Sequence, residues 1–119
     1  MKTRRGDELK ERTKKFSPRI ARMVQSLPVD WIATTPGKQV LRSGTSVGAI
    51  YRAACRARSA AEFRSELGIC EEECDETSYW IELLVEPQYV RQELVADLSQ
   101  EANELLAIIV SSSTSSRGN

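Results

Sequence analysis

An acidic run in the middle of the chain is the first group of side chains whose types and spacing could do chemistry. It consists of Glu71, Glu72, Glu73, Asp75 and Glu76. Carboxylate oxygens grouped in this way can hold a divalent cation. Such runs more often form a solvated helix face or a surface for a partner, so we expect no metal site here.

Two cysteines form the second group. Cys70 and Cys74 lie one helical turn apart and could supply half of a site for a soft metal ion. They also fall on a predicted apolar seam, where a free cysteine behaves as a small hydrophobic residue, so we expect both in the core. The chain has no histidine, which excludes a Ser–His or Cys–His nucleophile and a ferritin-type di-iron centre. The sequence therefore predicts no catalytic residue, no cofactor and no enzyme activity.

Basic side chains form the third group. Arg52, Arg56 and Arg58 project from the end of the second predicted helix, with Arg64 nearby. Cations are favourable at a helix C-terminus in themselves, so this clustering needs no ligand. The functional alternative is contact with nucleic-acid phosphates, without base-specific readout. The candidates for that contact are Lys14, Lys15, Arg19, Arg22, Arg52, Arg56 and Arg58.

The charged residues are sorted along the chain. Residues 1–61 carry 14 Lys and Arg against 4 Asp and Glu, whereas residues 62–104 carry 13 Asp and Glu against 2 Arg. The net charge of the whole chain is nevertheless zero. A basic half and an acidic half can face each other within one subunit or between subunits, and basic surface left unpaired can meet an anion.

The composition is that of a globular protein of one domain. The chain has 119 residues, of which 40% are hydrophobic and 29% are charged. No apolar run approaches the roughly 18–20 residues of a membrane span, and the charged N-terminus lacks the apolar core of a signal peptide. Three cysteines without secretory features favour reduced thiols. We therefore expect a cytoplasmic protein without a membrane partner.

Apolar residues at steps of three and four predict four helices and no strand. The predicted helices are approximately 7–27, 36–57, 60–86 and 89–110. Short links between long helices make antiparallel neighbours, so the predicted fold class is all-α, an antiparallel up-down-up-down four-helix bundle. The clearest pattern is the seam of the third helix, at Phe63, Leu67, Cys70, Cys74, Thr77, Ile81 and Leu84. We expect one bundle domain over residues 1–110 and a disordered Ser-rich tail over residues 111–119.

The first predicted helix and the link after it depend on a few residues. The predicted helix 7–27 contains Pro18, which would kink it, so a second start near Ser17 stays open, with residues 1–15 as a basic arm that is frayed or separately helical. Trp31 and Ile32, in the link that follows, are expected to fold back over the end of the bundle.

Capping residues mark the starts of the second and third helices. Thr35 is an N-cap before Pro36 at the first helical position, and Ser59 forms a capping box with Glu62. Because the turn between these helices lies near Arg58, residues that face each other should have numbers that sum to roughly 117. The ion pairs predicted in this way are Arg42 with Asp75 and Glu76, and Arg52 with Glu62 or Glu66.

Two segments, 42–52 (RSGTSVGAIYR) and 75–84 (DETSYWIELL), resemble a known family. This family consists of bacterial four-helix bundle proteins that were found as reading frames in intervening sequences of 23S ribosomal RNA genes. The resemblance implies a small cytosolic helical protein that assembles as a ring-like homopentamer, and most members have no established biochemical function. A similar bundle is the accessory protein of diversity-generating retroelements, a basic pentamer that works with a reverse transcriptase and nucleic acid. The residues that carry the resemblance are Gln39, Arg42, Ser43, Ser46, Tyr51, Asp75, Glu76 and Thr77.

The chain departs from the family pattern at two positions. Members usually carry Asn at the position of Ile50 and often Glu at the position of Ala53. A site that those polar residues serve would be impaired here. The retroelement relatives are also strongly basic, whereas this chain has a sequence pI of about 6.3.

These observations support two functional hypotheses. The first is a non-enzymatic homo-oligomer, expected to be a pentamer, that acts as an assembly or scaffold protein. Its candidate subunit contacts are Tyr79, Trp80 and Leu83, which lie off the seam of the third helix. The alternative is an accessory module that binds RNA or DNA phosphates through the basic surface of the first two helices.

Overall fold

The computed structural model of the protein describes the backbone of residues 4–117 and the side chains of residues 6–115. This part of the chain folds into four helices and contains no strand. The helices are α1 (Arg4–Gln25), α2 (Trp31–Cys55), α3 (Ala60–Val85) and α4 (Gln92–Arg117). They form an elongated bundle of 47 × 22 × 21 Å, which confirms the predicted all-α fold class.

Neighbouring helices run antiparallel. Between α2 and α3, the thiol of Cys70 donates a hydrogen bond to the carbonyl oxygen of Val47 at 3.4 Å, and the hydroxyls of Thr77 and Ser43 share one of 2.9 Å. Later residues of α3 thus meet earlier residues of α2, as antiparallel packing requires.

α4 completes the bundle by packing against both α3 and α1. Residues 86–91 join α3 to α4, and the thiol of Cys74 reaches the carbonyl oxygen of Ala102 at 3.4 Å. Both residues lie about equally far from that link, so α4 folds back along α3. On its other side α4 meets α1 through ion pairs of Arg12 with Glu101 and Glu104.

The core lies along the predicted seam of α3. Leu67, Cys70, Cys74, Thr77, Ile81 and Leu84 are all buried, whereas Phe63 at the first position is only partly buried. α1 contributes Phe16 and Ile20, and α4 contributes Leu105 and Ile109, all fully buried. Residues at steps of three and four on each helix therefore meet on one axis.

Two glycines of α2 let α1 and α2 approach closely. A Cβ atom on Gly48 would lie 2.9 Å from the backbone oxygen of Thr13, and one on Gly44 would lie 2.8 Å from Ile20. Glycine in a helix interior costs about 1 kcal/mol relative to alanine. The close packing of the two helices offsets that cost.

Of the two starts predicted for the first helix, the one near Asp7 is close to the observed start, and the one near Ser17 is wrong. α1 begins at Arg4 and continues through Pro18, so residues 4–15 are not a separate or frayed arm. Leu9, Thr13 and Phe16 are buried, and this packing outweighs the hydrogen bond that Pro18 cannot donate. Residues 1–3 of the predicted arm lie outside the described residues.

The predicted start of the second helix at Thr35 and Pro36 is also wrong. α2 begins one turn earlier, because the carboxylate of Asp30 caps it by accepting hydrogen bonds from the backbone N–H groups of Ile32 (2.7 Å) and Ala33 (3.2 Å). Trp31 and Ile32 therefore belong to the first turn of α2. They do not fold over the bundle end, since their exposed fractions are 93% and 70%.

The predicted N-cap of the third helix is confirmed. The hydroxyl of Ser59 accepts a hydrogen bond of 3.1 Å from the backbone N–H of Glu62. The carboxylate of Glu62 returns to the backbone N–H of Arg58 instead of that of Ser59, so the box is displaced by one residue. α3 ends at Val85, next to the predicted end.

The predicted disordered tail is wrong for residues 111–117, which continue α4. Ser113 is buried one turn beyond Ile109, and the hydroxyl of Ser112 donates to the carbonyl oxygen of Ile108 at 2.9 Å. The buried face of α4 thus extends past the last apolar residue. Residues 118–119 lie outside the described residues. The start of α4 is also displaced, from Tyr89 to Gln92.

Candidate functional site

Several residues that carry the family resemblance form one hydrogen-bonded cluster on the outside of α2 and α3. The guanidinium of Arg42 donates to the carboxylates of Glu73 (2.8 Å) and Glu76, and to the side-chain oxygen of Gln39 (3.2 Å). The indole N–H of Trp80 donates to the same carboxylate of Glu76 at 2.9 Å. We name these five residues the Arg42 cluster.

The ion pairs predicted for Arg42 are half right. Glu76 is a partner, but the second partner is Glu73 and not Asp75. Residues 73 and 76 are three apart and share one helix face, whereas Asp75 points away from α2 into solvent. The predicted pairs of Arg52 with Glu62 or Glu66 are wrong, because the side chain of Arg52 lies on the side of α2 that faces α1.

The hydrogen bonds of the Arg42 cluster favour the ionised form of the Glu76 carboxyl group. The hydrogen bond from Trp80 and the guanidinium of Arg42 lower the pKa of Glu76, while Glu73 and Glu76 raise the pKa of Arg42. A carboxyl group whose pKa is lowered is ionised at neutral pH and is a poor general acid. The Arg42 cluster therefore links α2 to α3 through charged hydrogen bonds and supplies no general acid.

Apart from Asp75, the remaining motif residues form contacts inside the bundle or along its helices. Ser43 and Thr77 are fully buried and hydrogen-bonded to each other, and the hydroxyl of Ser46 donates to the carbonyl oxygen of Arg42 at 2.6 Å. The pKa of the Tyr51 hydroxyl is raised, mainly because the group is buried and secondly because it is hydrogen-bonded with Cys55. Tyr51 thus stays protonated and acts as a core residue.

Cys70 and Cys74 are core residues, as predicted. Their thiols donate to carbonyl oxygens of two different helices, that of Val47 in α2 and that of Ala102 in α4. Burial raises the pKa of each thiol to about 12. In residues 4–117, no three His, Cys, Asp or Glu side chains are grouped so that they could hold a metal ion.

A groove of about 490 Å³ between α1 and α2 brings three of the predicted phosphate-binding residues together. We name it the basic groove. Its charged lining residues are Lys10, Lys14, Arg52, Arg56, Asp7 and Glu11. Its four cations form no ion pair within the described residues. The structure does not bring the other four candidates into the groove, which are Lys15, Arg19, Arg22 and Arg58.

Exposed apolar side chains concentrate at the end of the bundle where α1 meets α2. Val29, Trp31 and Ile32 have exposed fractions of 106%, 93% and 70%. Asp30 lies among them and accepts a hydrogen bond of 3.4 Å from the hydroxyl of Tyr89, which holds this end against the α3–α4 link. We name Val29, Trp31 and Ile32 the tip patch.

Comparison with known proteins identifies the family. The family model for the 23S rRNA-intervening sequence protein matches residues 7–111. The chain belongs to this family. A crystal structure of a protein with unknown function from the S23 ribosomal protein family of Bacteroides thetaiotaomicron VPI-5482 is similar, with 33% sequence identity and a TM-score of 0.79. The match covers 87% of this chain and 95% of that protein. No curated protein matches the sequence.

In this member of the 23S rRNA-intervening sequence protein family, the two residues that depart from the family pattern, Ile50 and Ala53, differ in burial. Ile50 is partly buried and packs against the core, whereas Ala53 is exposed. An apolar side chain at position 50 therefore extends the packing of α2.

Sequence reasoning missed the tip patch and named other residues as subunit contacts. Of those, Tyr79 is 52% exposed, whereas Trp80 and Leu83 are partly buried. The signal for the tip patch was Asp30, because an aspartate is a good N-cap and places Trp31 in the first turn of a helix. None of the helices in the described part of the chain is long and apolar enough to cross a membrane.

Proposed function

We propose that this chain is a non-enzymatic assembly protein of the cytoplasm that forms a homo-oligomer, the pentamer that the family resemblance implies. The tip patch is the observation that carries the proposal. Isolated exposed apolar residues are ordinary, but three within four residues that include a tryptophan are typical of a contact surface.

A second subunit could cover the apolar surface of the tip patch. Fully burying an apolar side chain contributes about 1.5–3 kcal/mol, and tryptophan is among the residues enriched at the centres of interfaces. Trp31 keeps 93% of its surface exposed, so the fold itself gains little from it. Subunit contact is the use of this residue that best explains its position.

The non-enzymatic part of the proposal rests on the roles of the ionisable groups. The Arg42 cluster links two helices, and Cys70 and Cys74 are protonated core thiols. These roles account for Glu73, Glu76 and the two buried cysteines without any catalytic function.

The test is the association state of Trp31→Ala/Ile32→Ala, with Val110→Ala as the matched control. Val110 is also an exposed apolar residue. It lies near the C-terminal end of α4, at the opposite end of the bundle from the tip patch. Light scattering at micromolar concentration should show an oligomer for the wild type and the control. The double variant should associate at least about tenfold more weakly, since tenfold corresponds to only 1.4 kcal/mol. A monomeric wild type would refute the proposal.

A second candidate function, phosphate binding by an accessory module, is favoured by the basic groove. Lys14, Arg52 and Arg56 are all predicted phosphate contacts, and all line it. Binding of RNA or duplex DNA at about 50 mM salt should weaken steeply as salt rises. Arg52→Ala/Arg56→Ala should flatten that dependence, whereas Arg91→Ala, an exposed cation elsewhere, should not. Absence of binding by the wild type would remove this candidate.

A further inference from the structure

The charged side chains of the basic groove have no partner that offsets their repulsion. All six lack an ion pair in the part of the chain that the structure describes. Lys10 and Lys14 lie four residues apart on α1. Arg52 and Arg56 lie four residues apart on α2. Because like charges at this spacing destabilise a helix, the fold keeps two repulsive pairs beside one groove, and a bound anion would relieve both.

The contact at Gly48 fixes the order of the residues along the groove. A Cβ atom on Gly48 would lie 3.4 Å from the backbone nitrogen of Lys14, so these two residues lie opposite each other. Because α1 and α2 run antiparallel, Arg52 lies opposite the turn of α1 that precedes Lys14. The groove extends about 15 Å along α1, from Ser17 to Asp7, and Lys14 and Arg52 lie near its middle.

Two further polar groups lie next to the cations. Pro18 has no N–H, so the carbonyl oxygen of Lys14, four residues earlier, lacks its usual helical donor. The hydroxyl of Ser17 forms no hydrogen bond with any described residue. Gly48 and Ala49 line the same part of the groove and leave space for a ligand because their side chains are minimal. The groove thus offers donors and acceptors side by side.

The lining residues define the chemistry of a matching ligand. Four cations against two carboxylates give them a net charge of +2. A phosphate monoester carries about −1.5 to −2 at neutral pH, and its oxygens accept hydrogen bonds from Lys and Arg. The carboxylates and the carbonyl oxygen need donors, which the hydroxyl groups of a ligand supply. A groove volume of about 490 Å³ is within the range of small-molecule sites.

We propose that the basic groove binds a small phosphate monoester that also carries hydroxyl groups, a ligand of the sugar-phosphate class. Lys14 and Arg52 hold the phosphate near the middle of the groove, with the Ser17 hydroxyl as a further donor. Asp7 and Glu11 accept hydrogen bonds from the hydroxyl groups of the ligand. This binding goes beyond the proposed assembly function and does not depend on it.

A sugar phosphate fits the groove better than a nucleic-acid strand does. A strand that follows the groove would bring successive phosphates past Asp7 and Glu11, whose carboxylates repel them. A single phosphate beside Lys14 and Arg52 avoids that repulsion, and hydroxyl groups make the same carboxylates into partners. No aromatic side chain is among the described residues that line the groove, so a nucleobase would find no stacking partner there.

The test measures binding by isothermal titration calorimetry in a phosphate-free buffer of low ionic strength. The probes are ribose 5-phosphate, glucose 6-phosphate and glycerol 3-phosphate. Ribose and inorganic phosphate each represent one half of such a ligand, and single-stranded RNA without a terminal phosphate reports binding to phosphodiesters. The best sugar phosphate should bind at least about tenfold more tightly than inorganic phosphate, and ribose should not bind detectably.

The first variant tests the phosphate contacts. Lys14→Ala/Arg52→Ala should weaken binding of the best sugar phosphate at least about tenfold, because both cations contact the phosphate. Lys38→Ala is the matched control, since Lys38 is an exposed cation of α2 that does not line the groove. It should change the affinity by less than about twofold.

The second variant, Asp7→Ala/Glu11→Ala, separates a sugar phosphate from other anions. It removes two negative charges, so inorganic phosphate and RNA should bind more tightly. It also removes the acceptors for the hydroxyl groups of the ligand, so the preference for the sugar phosphate over inorganic phosphate should fall at least about threefold. Both side chains are exposed, and circular dichroism checks that the variant is folded.

Three results would overturn the inference. The first is that none of the three sugar phosphates binds the wild type at about 10 mM. The second is that they bind no more tightly than inorganic phosphate, which would make the groove a non-specific anion site. The third is binding of RNA without binding of any sugar phosphate, which would assign the groove to the nucleic-acid candidate. Light scattering reports the association state separately, so a monomeric wild type would refute the proposed assembly function and not this binding.

Discussion

At the scale of single residues, burial decides which side chains are chemically available. Cys70 and Cys74 are fully buried, and burial raises the pKa of each thiol to about 12. Cys55 is only partly buried near the end of α2. Because the thiolate is the reactive form, these cysteines should differ in reactivity although all three are free thiols.

We predict that the native protein has one fast thiol towards a disulfide reagent at pH 8. Raising the pKa of a thiol from 9.0 to about 12 lowers its thiolate fraction about 1,000-fold. Cys55→Ser should therefore abolish the fast phase, whereas the denatured wild type should release three thiols. A fast phase of two or three thiols in the native wild type would contradict the prediction.

The same residues set the direction of two pH effects. The folded protein holds the protons of Cys70 and Cys74 up to about pH 12, whereas the unfolded chain releases them at about pH 9, so stability is lost as the pH rises between these values. The pKa of Glu76 is lowered in the fold, so its contribution is present above its ordinary pKa and is lost as the pH falls.

At the scale of helices, glycine has opposite meanings at different positions. Gly48 touches the backbone of Thr13, so α1 and α2 cannot both stay in place around a larger residue. Gly68 in α3 has no atom within 4 Å of a Cβ position. The first glycine is required by packing, while the second only weakens its helix.

We predict that Gly48→Ala destabilises the protein by about 1–3 kcal/mol, as overpacking of a tight contact does. Gly68→Ala is the matched control and should stabilise it by about 1 kcal/mol, because alanine is the better helix former. Urea unfolding of both variants measures the two effects. Equal changes of the same sign would show that the α1–α2 contact is not tight at Gly48.

At the scale of the whole molecule, Arg12 joins the first helix to the last. Its guanidinium donates to both oxygens of Glu101, at 2.6 and 3.1 Å, and to Glu104 at 3.1 Å. The Glu101 side chain is only 17% exposed, so this pair is better shielded from water than an ordinary surface pair.

We predict that Arg12→Met lowers the free energy of unfolding by about 1 kcal/mol, the upper end for an exposed pair, because Glu101 loses a two-point partner. Arg19→Met removes a cation without an ion pair in the described residues and should change stability by less than about 0.5 kcal/mol. Urea unfolding at low and high salt tests both variants. An effect of Arg12→Met no larger than that of Arg19→Met would show that the ion pairs of Arg12 do not stabilise the contact between α1 and α4.

The sequence by itself determined the number of helices, the buried seam of α3, the Ser59 cap and the family. These features follow from apolar periodicity, local capping and two motif segments, all of which act over one or two turns. The Arg42–Glu76 pair followed as well, because a short turn between antiparallel helices sets the register of the residues that face each other.

Only the tertiary structure decided where α1, α2 and α4 begin and end, and which way Trp31 points. Pro18 reads locally as a helix start, and the serines after Val110 read as disorder, yet Leu9, Thr13 and Ser113 are buried against other helices. Burial against a distant segment outweighs local propensity, and its contribution cannot be read from neighbours in sequence. The same holds for the basic groove, because Lys14 and Arg52 meet only when α1 and α2 pack together.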